Sequence, residues 1–435
     1  MADKPNLSRR QFLKGTGGTV AATISFPYVV ASSALGKAGT IAPSNRIVMA
    51  AVGIGWQGGS NMGNFLGQQD VQFVAVCDVD ENLLEQAKNK VDGTYGKKVC
   101  TAYRDFRDLI ARDDLDAVSI ALPDHWHAIP AVAAAEAGLD IFGEKPLSHN
   151  LAEGRKMCDA VNRYDRIWQT GSWQRSRQNF HRACELVRNG RVGKIHTVEV
   201  GLGGGYSDYA KTKGQETPSK PPPELDYDMW LGPAPWAPYC PARVHKNWRW
   251  HLDYGGGRLM DWVGHHVDIA HWGLGLDYDG PVEIEGVGFC PDKGLWNAHV
   301  TYRVACKYAN GVEIILDSGF RGGAKWIGEK GWVYVNRGAL DADPKSVLKE
   351  VIGADEIRLY KSTNHFRNFL DCVRNRRLTI TPCEVAHRSA SVGHLALIAM
   401  KLGRKLKWDP AKERFINDPN ADMLLSRPMR SPWRV

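Results

Sequence analysis

Asp261 and His265 stand four residues apart in the run Arg258-Leu259-Met260-Asp261-Trp262-Val263-Gly264-His265-His266-Val267-Asp268. On a helix that spacing places both on one face, where they can orient one another. A carboxylate beside an imidazole suits proton removal, and a lysine brought to the same point would hold and polarise a hydroxyl. Lys145 is the candidate, in Gly143-Glu144-Lys145-Pro146. That segment, like Pro123-Asp124-His125-Trp126-His127, follows a short apolar run, and ligands of open α/β sheets bind outside the carboxyl ends of such strands. Asp261, His265, His266, Asp268 and His271 also read as metal ligands by type. Five candidates on one helix cannot all point one way, and no second motif contributes ligands, so no metal is expected.

Gly53-Ile54-Gly55-Trp56-Gln57-Gly58 is a G-x-G-x-x-G turn between a predicted strand and a predicted helix. The first Gly makes the tight turn, the second lets a pyrophosphate approach the backbone, and the third lets helix and strand pack closely. Asp78 closes the next predicted strand twenty-five residues past Gly53, where a carboxylate can accept from adenosine ribose hydroxyls. Together they point to NAD. An anion at Asp78 argues against the 2′-phosphate of NADP. Trp56 and Gln57 inside the turn, with Pro123, His127, Glu144 and Lys145 at later strand ends, complete the expected cofactor contacts.

Strands are predicted at 47–53, 71–78, 117–122 and 140–143, with helices at 59–66, 81–91 and 129–137. Such alternation implies a doubly wound parallel sheet. After about Ile167 the texture changes. A helix near 180–187 and a strand at 195–201 precede a Pro- and Lys-rich loop at 203–247, long enough to be functional. A helix over 258–272, β-branched segments at 282–289, 298–307, 312–317 and 332–335, and closing helices at 366–374 and 385–402 follow. The expected division is a leader at 1–40, a dinucleotide-binding domain at 41–166 and an α/β substrate domain at 167–435 with a large, mainly antiparallel open sheet.

A chain of 435 residues suits two folded domains. Residues 8–14, Ser-Arg-Arg-Gln-Phe-Leu-Lys, form a twin-arginine export pattern, and a weakly apolar stretch from Gly15 to Ala34 ends in small residues. This reads as a removable leader, with a periplasmic or other extracytoplasmic destination. No other stretch is apolar enough to span a bilayer, so the mature protein is expected to have no membrane span. The formal charge of +8 is partly the leader's own Lys4, Arg9, Arg10 and Lys14. No basic face interleaves with aromatics, so a nucleic-acid partner is not expected. Nine cysteines, an odd set without a C-x-x-C pair, signal neither a disulfide framework nor a zinc ribbon.

The G-x-G-x-x-G turn, Glu144-Lys145-Pro146 and the Gly255-Gly256-Gly257 lead into Asp261 and His265 make the chain, from about Asn45 to Trp408, resemble the glucose–fructose oxidoreductase/inositol dehydrogenase (Gfo/Idh/MocA) family. The resemblance implies a Rossmann domain, then an α/β domain whose open sheet supports the substrate pocket and a homo-oligomer interface. It implies that Lys145 holds a substrate hydroxyl beside the nicotinamide, that Asp261 positions the substrate, that His265 is the acid/base, and that His127 lies on the nicotinamide side. His266, the Trp-rich flanks at 168–173 and 248–250, and the 203–247 loop look like an exported subgroup of the family. Arg175, Arg249, Tyr254 and His266 are the candidate substrate contacts. The expected function is oxidation or reduction of a secondary hydroxyl of a sugar, glycoside or cyclitol by NAD that stays tightly bound. The alternative is a redox-neutral NAD-dependent glycoside hydrolase, and a third reading is a non-catalytic binding protein.

Overall fold

The computed structural model describes residues 41–435, so the leader expected at 1–40 lies outside the described residues. Residues 41–46 hold one short turn of 3₁₀ helix, Pro43–Asn45, and group apart from the compact unit Ile47–Val435.

Six strands open that unit: β1 (Ile47–Val52), β2 (Val71–Cys77), β3 (Thr101–Tyr103), β4 (Ala117–Ile120), β5 (Asp140–Gly143) and β6 (Trp168–Thr170). They pair in parallel in the order β3-β2-β1-β4-β5-β6. β1, β2, β4 and β5 are almost wholly buried, because helices cover both faces of the sheet. The order reverses between β1 and β4, which opens a crevice at their carboxyl ends. The expected strands and helices are all present within a few residues. β3, β6 and the helices Phe106–Ile110 and Leu151–Arg163 are additions. The two strands have three residues each, too few to show a period of two. The Leu151–Arg163 helix is set locally, by the Asn150 side chain accepting from the Glu153 N–H.

The second sheet has nine strands: β7 (Ile195–Gly201), β8 (Glu283–Phe289), β9 (Thr301–Lys307), β10 (Glu313–Asp317), β11 (Gly323–Gly328), β12 (Gly331–Val335), β13 (Leu340–Asp343), β14 (Leu406–Asp409) and β15 (Arg414–Phe415). Their order is β13-β12-β11-β7-β10-β9-β8-β14-β15. β7 and β10 run parallel and the other pairs antiparallel. Tyr302, Val304 and Cys306 alternate with exposed Thr301, Arg303 and Lys307 in β9, so one face meets a core and the other faces outward. The helices Gly257–Leu274 and Cys383–Leu402 are buried along most of their length and pack on that inner face.

The Gly257–Leu274 helix carries the Asp261/His265 pair, and its placement depends on a buried ion network. Arg175, 3% exposed, donates through Nε and Nη2 to the two oxygens of Asp268 at 2.8 and 2.7 Å, and Nη2 also reaches Asp277 at 2.7 Å. Removing one partner of such a pair leaves an uncompensated charge in the core. Arg175→Met is therefore expected to lower folding stability by about 3–5 kcal/mol, read as an earlier midpoint in denaturant unfolding.

Candidate active site

The crevice outside β1, β2, β4 and β5 is a cavity of about 490 Å3, within the usual range for small-molecule sites. At one end lie Gly53, Gly55, Trp56, Gln57, Gly58 and Asp78; Pro123 and Glu144 follow, then Lys145, Asp261 and His265. Gly53 has φ +77° and packs so closely that a Cβ would fall 2.4 Å from the Ala121 carbonyl oxygen. At Gly58 a Cβ would stand 1.9 Å from Gly53 O, whereas at Gly55 it would meet nothing within 4 Å. Among the described residues no side chain caps the Trp56–Leu66 helix that starts here. A close backbone approach with an uncapped helix start fits a pyrophosphate.

Asp78 accepts the Ile54 N–H at 2.8 Å and the Asp80 N–H at 3.0 Å, which fixes its carboxylate at the turn. Burial raises its pKa. Arg104, just past β3, lines the same end of the cavity and pairs only loosely with Glu81, at 3.9 Å. Sequence reasoning passed it over, because its place depends on β3.

At the other end the Lys145 ammonium donates to Asp261 Oδ1 at 2.8 Å and to the Asp261 carbonyl at 2.9 Å. Arg249 Nε reaches the same Oδ1 at 3.4 Å. Burial opposes the charge on Asp261, but the two cations hold its carboxyl below the usual carboxylate range. The expected mutual orientation of Asp261 and His265 is thus not what the geometry shows: the carboxylate turns toward the cations. Among the described residues His265 Nδ1 has no hydrogen-bond partner, and its ring lies against Trp262, centroids 5.5 Å apart, and Trp173, 6.4 Å. Burial, then the charges of Lys145 and Arg337, depress the His265 pKa well below its ordinary value. The imidazole is neutral and able to accept a proton. Asp124 also lines the cavity, and burial pushes its carboxyl well above the usual carboxylate range.

Glu144 is pinned by Asn61 Nδ2 at 2.9 Å. The remaining candidates lie off the cavity. His127 has its two ring nitrogens 2.8 Å from the Pro146 and Leu122 carbonyl oxygens, bracing the loops after β4 and β5. His266 Nδ1 is 2.7 Å from Gly201 O and 3.1 Å from Gly323 N, between β7 and β11. Tyr254 is fully buried and its hydroxyl accepts from Arg243 at 3.2 Å. Arg175 serves the ion network above. Of the four expected substrate contacts only Arg249 lines the cavity. The other three are held by protein partners.

The 203–247 loop closes the cavity from outside. Leu225 bridges to Asp80, the Glu81 N–H donates to Glu224 O at 3.0 Å, and the Asp226 N–H donates to Val79 O at 3.0 Å. Trp56 packs against Tyr209 at 5.8 Å and under the Lys246 ammonium at 5.0 Å.

Two models of one oxidoreductase family match nearly all of the described chain: the NAD-binding Rossmann fold over residues 47–172 and the C-terminal alpha/beta domain over 177–435. The chain belongs to the Gfo/Idh/MocA oxidoreductase family. A model of the twin-arginine translocation signal matches residues 6–24. A myo-inositol 2-dehydrogenase of Thermotoga maritima is 32% identical over 232 residues, 53% of this chain and 56% of that protein. A glycosyl hydrolase family 109 protein of Shewanella baltica is 33% identical over 208 residues, 44% of each. The chain spans about half the length of these curated relatives. An aldose–aldose oxidoreductase of Caulobacter crescentus, solved with glycerol, shares the fold at TM-score 0.60 and 19% identity, covering 83% of this chain and 99% of that one.

Lys145 and Arg249 form a cation pair around Asp261, and the state of His265 reports on the Lys145 charge. Because the His265 pKa is depressed, the ring stays neutral as pH falls through 6.5 and protonates only in more acid solution. In Lys145→Met the nearest positive charge is gone, so protonation is expected at higher pH than in the parent. Imidazole resonances followed by NMR across pH check it. An unchanged or lower midpoint contradicts the assigned electrostatics.

Proposed function

We propose that this chain is an exported NAD-dependent oxidoreductase acting on a secondary hydroxyl of a sugar, glycoside or cyclitol, and that it keeps its dinucleotide bound between turnovers. The observation that carries the reading is a single cavity with a pyrophosphate cradle at one end and Lys145, Asp261 and His265 at the other. Gly53, Gly55, Gly58 and Asp78 would hold the cofactor, which when bound supplies hydride transfer at its nicotinamide. Lys145 binds the substrate hydroxyl and favours its ionised form. Neutral His265 takes the hydroxyl proton during oxidation and returns it during reduction. Asp261 keeps Lys145 aimed and offsets part of the local positive charge. Asp78 supports NAD over NADP.

Retention is supported by the loop. Its backbone is hydrogen-bonded to residues 79–81 beside Asp78, and Tyr209 and Lys246 flank Trp56 above the glycine turn. The twin-arginine signal supports an extracytoplasmic, periplasmic destination. No described helix is long and apolar enough to cross a membrane. The outward face of the second sheet, with Val287 73% and Phe289 56% exposed, supports self-association there, measurable by sedimentation. A redox-neutral hydrolase is the second reading, favoured by the family 109 relative. Release of nitrophenol from nitrophenyl glycosides without added NAD would select it.

His265→Ala is expected to lose roughly 10²–10⁴-fold in turnover, the usual share of general acid/base catalysis, with dinucleotide affinity unchanged. Near-normal turnover would remove His265 from the chemistry. Protein isolated from its own export pathway should hold near-stoichiometric NAD after long dialysis, and apo-protein should bind NAD more tightly than NADP. Free NADH accumulating at millimolar added NAD would refute retention, and tighter NADP binding would refute the assignment to Asp78.

A further inference from the structure

Arg337 lies in the turn between β12 and β13, 72 residues beyond His265, yet it lines the same end of the cavity. Its guanidinium stands over the rings of both Trp173, 4.5 Å to the centroid, and Trp262, 4.7 Å. These indoles are the two that flank His265. Arg337 Nε donates to Gln174 Oε1 at 3.2 Å. That anchor and the stacking fix the plane of the guanidinium and leave both terminal nitrogens uncommitted among the described residues. A planar, fixed fork with free terminal N–H groups is the geometry that receives a carboxylate or phosphate.

The charge balance points the same way. Arg177 lies over Trp173 as well, at 5.4 Å, and among the described residues neither arginine forms an ion pair. Asp261, whose carboxyl the neighbouring cations hold below the usual carboxylate range, is already shared by Lys145 and Arg249. Burial and the neighbouring Arg177 charge pull the Arg337 pKa down against the attraction of Asp261. The other guanidinium stacked on a cavity indole, Arg249 over Trp248 at 4.4 Å, has its acid and a carbonyl. Both arginines are exposed and lie over the Trp173 indole, so an anion arriving at Arg337 meets a second cation and displaces no protein counter-charge.

We propose that the sugar turned over here carries an anionic group, a carboxylate or a phosphate, received by Arg337 with Arg177 while the reacting hydroxyl meets Lys145 and His265. This rests on the oxidoreductase reading and adds the substrate class to it. The two indoles would cover the sugar ring's apolar face, and the arginines reject analogues that leave them unpaired.

Binding can be read without turnover, from tryptophan fluorescence of the cofactor-loaded protein. The probes are glucuronate and galacturonate, glucose 6-phosphate and galactose 6-phosphate, and the parent neutral sugars. At least one acidic probe is expected to bind roughly 10–100-fold more tightly than its neutral parent, as a charge-assisted pair allows. Arg337→Gln should erase that preference, bringing the ratio of acidic to neutral affinity to about one. Which acidic class gains distinguishes carboxylate from phosphate. Arg177→Gln, on a different element, should weaken the same preference and serves if the first variant does not fold. Equal affinity for neutral and acidic sugars, no binding of any acidic probe, or a preference that survives both variants overturns the proposal. An arginine-dependent preference with no change in the redox state of the bound dinucleotide would keep the anion site and remove the oxidoreductase reading. Turnover of neutral sugars without the preference does the reverse.

Discussion

The Asp261 carboxylate lies between the Lys145 ammonium and the Arg249 guanidinium, 16% exposed, and three separate stretches of chain meet there. Lys145 follows the fifth strand of the parallel sheet, Asp261 rides the long central helix of the second half, and Arg249 ends the loop before it. An ion pair withdrawn from water is costly unless its geometry is good and its remaining polar sites are satisfied. Here the ammonium also finds the Asp261 backbone carbonyl, which ties the side chain to the helix itself. The site is therefore a joint between the Rossmann half and the C-terminal half. A shift of either half would break charge-assisted contacts and not just loosen apolar packing.

That joint sets the chemistry of its neighbour. Among the described contacts His265 donates no hydrogen bond to Asp261, so the carboxylate acts on it only through space, while burial and two cations keep the ring neutral. The carboxylate–imidazole pair that the four-residue spacing suggested is a carboxylate–lysine pair with an imidazole nearby. The difference matters for direction: a neutral imidazole with an uncommitted nitrogen is prepared to accept a proton.

How much of this was legible in the sequence depended on how local the constraint is. The glycine turn and Asp78 could be read because turn geometry and strand end lie within one short supersecondary unit, where only glycine tolerates the backbone at position 53. Lys145, Asp261 and His265 were legible through the family resemblance, and they do share a cavity. Arg175, Tyr254 and His266 were chosen for residue type near the right motif. Their actual partners, Asp268 and Asp277, Arg243, and the backbone of the seventh and eleventh strands, are facts of tertiary packing that no spacing announces. The same reason hid Arg337, which reaches the site from a turn between two later strands, and Arg104, which follows a strand too short to show alternation. The bridging role of residues 224–226 could not be read either, since a Pro-rich loop shows no strand period.

The pairing of residues 224–226 with 79–81 makes the cofactor site a composite closed by a segment far along the chain. A ligand that binds only when the two segments are paired stabilises that pairing by the same free energy with which the pairing holds the ligand. Docking of the loop and residence of the dinucleotide are then one linked equilibrium. Any change that weakens the backbone contacts at Val79, Asp80 or Glu81 would lower dinucleotide affinity through that linkage, without touching a cofactor contact. The retention proposed above would then rest on a backbone clasp as well as on the contacts made to the cofactor itself.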